Sequence, residues 1–106
     1  MQQDVQITFH NIDHSDMIEA DIRSRVDKLS SLYDRMIGCR IVLDSPHRNQ
    51  AKGRTYAVKI AMALPGQELV VNREPVGDFQ MAVSEAFDVA KRRLKDHLSK
   101  QRSQQH

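Results

Sequence analysis

A chain of 106 residues with 40% hydrophobic side chains can bury one modest core, which points to a single domain over residues 1–100 and a short polar tail over 101–106. A net charge of +2 does not by itself indicate a nucleic-acid partner, and a single cysteine, Cys39, excludes an internal disulfide. No apolar run approaches the roughly 18 residues of a membrane span, and Met1-Gln2-Gln3-Asp4 lacks the basic start of a signal peptide, so a reducing cytoplasm is expected.

Val5, Ile7 and Phe9 alternate with Gln6, Thr8 and His10, the pattern of a short strand with one buried face. Asn11 to Asp13 turn the chain. Ser15 or Asp13 caps a first helix, with Asp16 and Glu19 in the turn where the helix dipole favours acids. Ile18, Ile22, Val26 (or its neighbour Arg25, through its stem), Leu29, Leu32 and Tyr33 form its apolar stripe, and it is expected to end near Leu32, before Gly38. Cys39, Ile41 and Leu43 alternate with Arg40, Val42 and Asp44 as a second strand. Residues 45–53 read as a polar loop. Tyr56, Val58, Ile60, Met62 and Leu64 carry the buried face of a third strand. Pro65-Gly66 is a turn signal, and Leu69 and Val71 belong to a fourth strand ending near Arg73. A long helix then runs from Asp78, its N-cap, to about Ser99. Its stripe is Phe79, Val83, Ala86, Phe87, Ala90, Leu94 and Leu98.

The order β-α-β-β-β-α predicts an α+β fold: a four-stranded sheet with two helices packed on one face. The other face, with Thr8, His10, Arg40, Val42, Thr55, Lys59 and Ala61, is expected to be at least half wet.

The charge is unevenly spread. Arg48, Lys52, Arg54 and Lys59 lie in a stretch without an acid, and the last helix ends with Lys91, Arg92, Arg93, Lys95, Lys100 and Arg102 against Asp96. A basic helix end is often a solvated face whose cations complement the dipole. Two such clusters on one small domain look more like a polyanion footprint. At 100° per residue, Lys91, Lys95 and Arg102 share one flank of the stripe, Arg93 and Lys100 the other, and Arg92 points away from the core.

Signals for catalysis are weak. His10 and His14 are separated by a turn and lack a Glu or Cys to complete a zinc set. Cys39 alternates with core residues, and the glycines form no phosphate loop. The outer sheet face has no aromatic on which a base could stack. No enzyme activity, metal, cofactor or small-molecule substrate is expected.

The run Lys28-Leu29-Ser30-Ser31-Leu32-Tyr33-Asp34-Arg35 precedes Ile41-Val42-Leu43. Pro65-Gly66 precedes Glu68-Leu69, and Asp78-x-x-x-Ala82-x-x-x-Ala86-Phe87-Asp88 opens the last helix. This ordered set, over about residues 4–100, resembles the ribosome hibernation-promoting factor and ribosome-associated inhibitor family, also called sigma-factor modulation proteins. The resemblance implies a bacterial, cytoplasmic short form. Such a protein binds the small ribosomal subunit and its rRNA in the channel for mRNA and tRNA, and blocks translation under stress. By position it carries over Arg23, Lys28, Arg35 and Arg92. Val89, Asp96 and Leu98 stand where lysines are usual in the family, while Lys91, Arg93 and Lys95 supply charge nearby. Arg48, Lys52 and Arg54 of the loop and Lys100 complete the expected RNA-binding set. Two other readings are a protein-interaction module that dimerises through a sheet edge without binding RNA, and a small enzyme using His10, His14 or His47.

Overall fold

The computed structural model describes residues 4–45 and 55–103. Their order is β1 (Asp4–His10), α1 (Asp16–Ser30), β2 (Gly38–Asp44), β3 (Tyr56–Leu64), β4 (Gln67–Val76) and α2 (Phe79–Ser103), the α+β arrangement read from the sequence. The sheet order is β1-β2-β3-β4. β1 runs parallel to β2, which requires a crossover, and α1 supplies it. The other two pairings are antiparallel.

Register turns the alternating residues into rows. Val5, Cys39, Met62 and Leu69 stand side by side, and Ile7, Ile41, Ile60 and Val71 form the next row. The stripe residues Ile22, Val26 and Leu29 of α1, and Ala82, Val83, Ala86, Phe87, Ala90 and Leu94 of α2, join these rows in one core. The opposite sheet face is exposed at Gln6, Thr8, Arg40, Lys59 and Asn72. Ala61 lies on that face but is only 5% exposed; it sits in register with Arg40 on one side and Val70 on the other.

Local chemistry sets the helix ends. The Ser15 hydroxyl accepts from the Ile18 amide at 3.3 Å, which selects Ser15 over Asp13 as the cap. α1 stops at Ser30, short of Leu32. The Ser30 and Ser31 hydroxyls donate to the carbonyls of Asp27 and Lys28 at 2.9 and 2.7 Å. The amides of Leu32 and Tyr33 reach back three residues rather than four. Asp78 caps α2, its carboxylate accepting from the Met81 amide at 3.1 Å.

Two elements run longer than expected. β4 continues past Arg73 to Val76, with a register shift between Tyr56 and Val58. Pro75 is compatible with this because β4 is an edge strand, where a missing N–H need not break a ladder. α2 continues to Ser103, through Lys100, Gln101 and Arg102, residue types that favour helix. Arg73 of β4 donates to one carboxylate oxygen of Glu85 at 3.2 and 2.8 Å, fixing α2 against the sheet. Gln67 and His97 make a second tie at 3.0 Å, and the His97 ring meets Tyr33 edge-on.

Candidate nucleic-acid interface

The stripes of α1 and α2 both face the sheet, so their basic flanks face each other across its helical side. Between them lies an open groove of about 470 Å³. Leu29, Leu32 and Phe87 supply its apolar lining, and Lys28 of α1 and Lys91 of α2 supply cations from opposite helices. A second hollow, lined by Leu32, Lys95, Leu98 and Ser99, continues from the shared Leu32. The one-turn spacing from Lys91 to Lys95 therefore extends the cationic wall along the same flank.

Arg25 also lines the groove. Its guanidinium lies 6.0 Å from the Phe87 ring centroid and bonds Asp21 at 3.1 Å. Arg25, whose stem the sequence sets beside the apolar stripe, is not among the residues expected to bind RNA. Its position four residues after Asp21 was the available signal. Asp21 and Asp88 border the same groove, so the surface is mixed rather than purely cationic.

The other expected cations are distributed differently. Arg23 is exposed on α1 and paired with Glu19 at 3.3 Å. Arg35 is exposed beyond the end of α1, outside the groove lining. Arg92 and Lys100 are exposed on α2. Arg93, on the opposite flank from Lys91, donates to the Val70 carbonyl at 2.9 Å and so reaches β4. Arg48, Lys52 and Arg54 lie outside the described residues. Val89 and Leu98, at positions where the resembling family carries lysines, are partly buried against the core. Apolar packing occupies those positions here, and the charge is carried by Lys91 and Lys95.

Of the other candidate reactive groups, His47 lies outside the described residues. His10 bonds Asp44 at 2.9 Å, and His14 bonds Glu19 at 3.1 Å. Burial pushes the Cys39 thiol up to about 12. Among the described residues no cluster of three His, Cys, Asp or Glu side chains is placed to hold a metal ion. No described helix is long and apolar enough to cross a membrane. The groove therefore presents the Lys28 and Lys91 ammonium groups, the Arg25 guanidinium bonded to Asp21, the Asp88 carboxylate and apolar surface.

Among curated proteins, none matches the chain by sequence. Among solved structures, the fold is similar to a ribosomal subunit interface protein from Coxiella burnetii, at TM-score 0.77 and 13% identity, over 92% of this chain and 99% of that one. It is also similar to the N-terminal domain of Protein Y from Thermus thermophilus, at TM-score 0.72 and 20% identity, over 90% and 99%. The family described as "Sigma 54 modulation protein / S30EA ribosomal protein" matches residues 5–102, and the chain belongs to that family.

Proposed function

We propose that this protein is a cytoplasmic, non-enzymatic ribosome hibernation factor of bacterial type. In this reading residues 1–100 form one ribosome-binding domain that engages small-subunit rRNA in the mRNA and tRNA channel. Lys28, Lys91 and Lys95 make the central contacts, with Arg92, Lys100, Arg23 and Arg35 on the surrounding surface and Arg48, Lys52 and Arg54 contributed by the loop. The observation that carries this reading is the placement of Lys28 across an open groove from Lys91, where one folded RNA segment would meet both helices. Membership of a family described by a ribosomal protein supports the ribosome as the partner. So does the similarity to a protein described as a ribosomal subunit interface protein.

The test is sedimentation with purified small and large ribosomal subunits at low and high salt. The expected result is co-sedimentation with the small subunit, weakened as salt rises, because each cation that neutralises a phosphate releases condensed counterions. Absence of binding to either subunit at low salt would falsify the reading.

A further inference from the structure

The two edges of the sheet are finished differently. At the β4 edge, Arg93 occupies the Val70 carbonyl, and Pro75 removes one N–H from the strand. The β1 edge, Asp-Val-Gln-Ile-Thr-Phe-His, contains neither proline nor lysine, two residues that commonly guard an exposed strand.

The direction of the β1 backbone groups follows from one hydrogen bond. The Ser45 amide donates to the His10 carbonyl at 3.3 Å, continuing the parallel β1–β2 ladder. In such a ladder a residue that turns its C=O toward the neighbouring strand turns its N–H the same way, and alternate residues turn both away. Asp4, Gln6, Thr8 and His10 therefore face β2. Consistent with this, the Asp4 carbonyl oxygen would lie only 2.7 Å from a Cβ at Gly38, so glycine is the residue that fits there. Val5, Ile7 and Phe9 turn their N–H and C=O groups outward, and no described backbone group pairs with them. Their side chains are only partly buried, whereas their row neighbours Cys39, Ile41 and Leu43 are 1%, 0% and 0% exposed.

The strand is complementary to itself about Ile7. With Ile7 opposite Ile7 of a second copy in an antiparallel pair, Val5 meets Phe9 of the other copy, and these outward-facing residues exchange backbone hydrogen bonds. Gln6 then stands opposite Thr8 of the second copy, and Asp4 opposite His10 of the second copy, at the positions where cross-strand side chains approach most closely. An acid thus faces an imidazole at both ends, and the apolar side chains of the two copies share one sheet face.

We propose that two copies of this chain pair antiparallel through β1, with Ile7 on the two-fold axis, joining their sheets into one. This goes beyond the ribosome reading and does not depend on it, since it uses the strand edge and not the helix groove.

The test uses the whole chain. Light scattering on wild-type protein is expected to give the 12.2 kDa monomer when dilute and to move toward twice that mass as concentration rises. Register is tested with Gln6→Cys and Thr8→Cys, both at exposed positions. Mixed and oxidised, the two variants are expected to form a disulfide-linked heterodimer. Each variant alone is expected to stay uncrosslinked, because its thiols sit on a diagonal of about 7–8 Å, past the usual Cα separation of a disulfide. Gln6→Lys combined with Thr8→Lys is expected to hold the monomer mass with an unchanged thermal melt. A constant monomer mass overturns the proposal, as does crosslinking of either single variant as readily as the mixture. A monomer whose β1 accepts only an unrelated extended peptide also overturns it.

Discussion

Arg93 Nη1 donates to the Val70 carbonyl oxygen at 2.9 Å, tying the basic half of α2 to the outer rim of β4. Arg92, its neighbour in sequence, is exposed and makes no such bond. Adjacent arginines on one helix therefore have different roles. Arg93→Gln is expected to lower stability by about 0.5–1.5 kcal/mol, the range for losing one hydrogen bond. Arg92→Gln should stay within about 0.5 kcal/mol, as surface changes usually do. Urea unfolding of both variants checks the contrast; equal midpoints would remove the structural role given to Arg93.

Phe87 joins the α2 stripe to the floor of the groove. It is 6% exposed, with the Arg25 guanidinium over its ring. Phe87→Ala is expected to cost about 3–5 kcal/mol, through lost burial and the cavity left behind. Arg25→Ala should cost much less, since Arg25 is only partly buried. A thermal melt unchanged by Phe87→Ala would contradict the packing of α2 on the sheet.

The fold was legible because its signals are periodic. Alternation at Val5, Ile7 and Phe9 and the three-to-four spacing from Phe79 to Leu98 each specify a face without knowledge of the partner. The ends were less legible, because tertiary context decides them. Pro75 reads as a strand breaker until β4 is known to be an edge. The same limit applied to the site. Helical geometry separated Lys91 and Lys95 from Arg93, but it could not show that Arg93 meets a β4 carbonyl. Nor could it pair Lys28 with Lys91, since their meeting depends on how two helices sit across the sheet.

Burial alone pushes the Cys39 thiol up to about 12. The native protein should therefore react slowly with a thiol-specific disulfide reagent near pH 8, and quickly once unfolded in guanidinium, because the thiolate is the nucleophile. Above the ordinary value of 9.0 the unfolded chain ionises here while the native chain keeps its proton. This group's contribution to stability is thus full below that value and declines as pH rises toward about 12. Rapid labelling of the native protein would contradict the burial.

Glu19 is held below the ordinary carboxylate value of 4.5, first by its hydrogen bond with His14 and then by that from Arg23. A carboxylate with a lowered native pKa stabilises the fold above its unfolded pKa, and that contribution fades as pH falls through the lowered value. Glu19→Gln should therefore be less stable than wild type near neutral pH. The two chains should converge as acid protonates the wild-type carboxylate. Urea midpoints measured across the acid range check this; a difference that grew toward low pH would have the wrong sign.

Lys28 and Lys91 stand on different helices but line one groove. If a single RNA segment lies along that groove, each lysine should contribute to binding and to its salt dependence. Lys28→Gln and Lys91→Gln are each expected to weaken association with small subunits and to flatten the fall of affinity with rising salt, because fewer counterions are released. The double variant should lower both quantities further. Both side chains are exposed, so each substitution should leave stability within about 0.5 kcal/mol and lost binding cannot be put down to unfolding. The control is Asp27→Asn, which changes charge at an exposed α1 position outside the groove lining and should leave the salt slope unchanged. Sedimentation of all four variants at several salt concentrations separates the cases. If Lys91→Gln alone reduces affinity, α2 binds without α1, and the groove is not the seat of the RNA. If neither single substitution nor the double changes affinity or slope, the basic flanks are solvated faces, and contact with the ribosome must run through another surface.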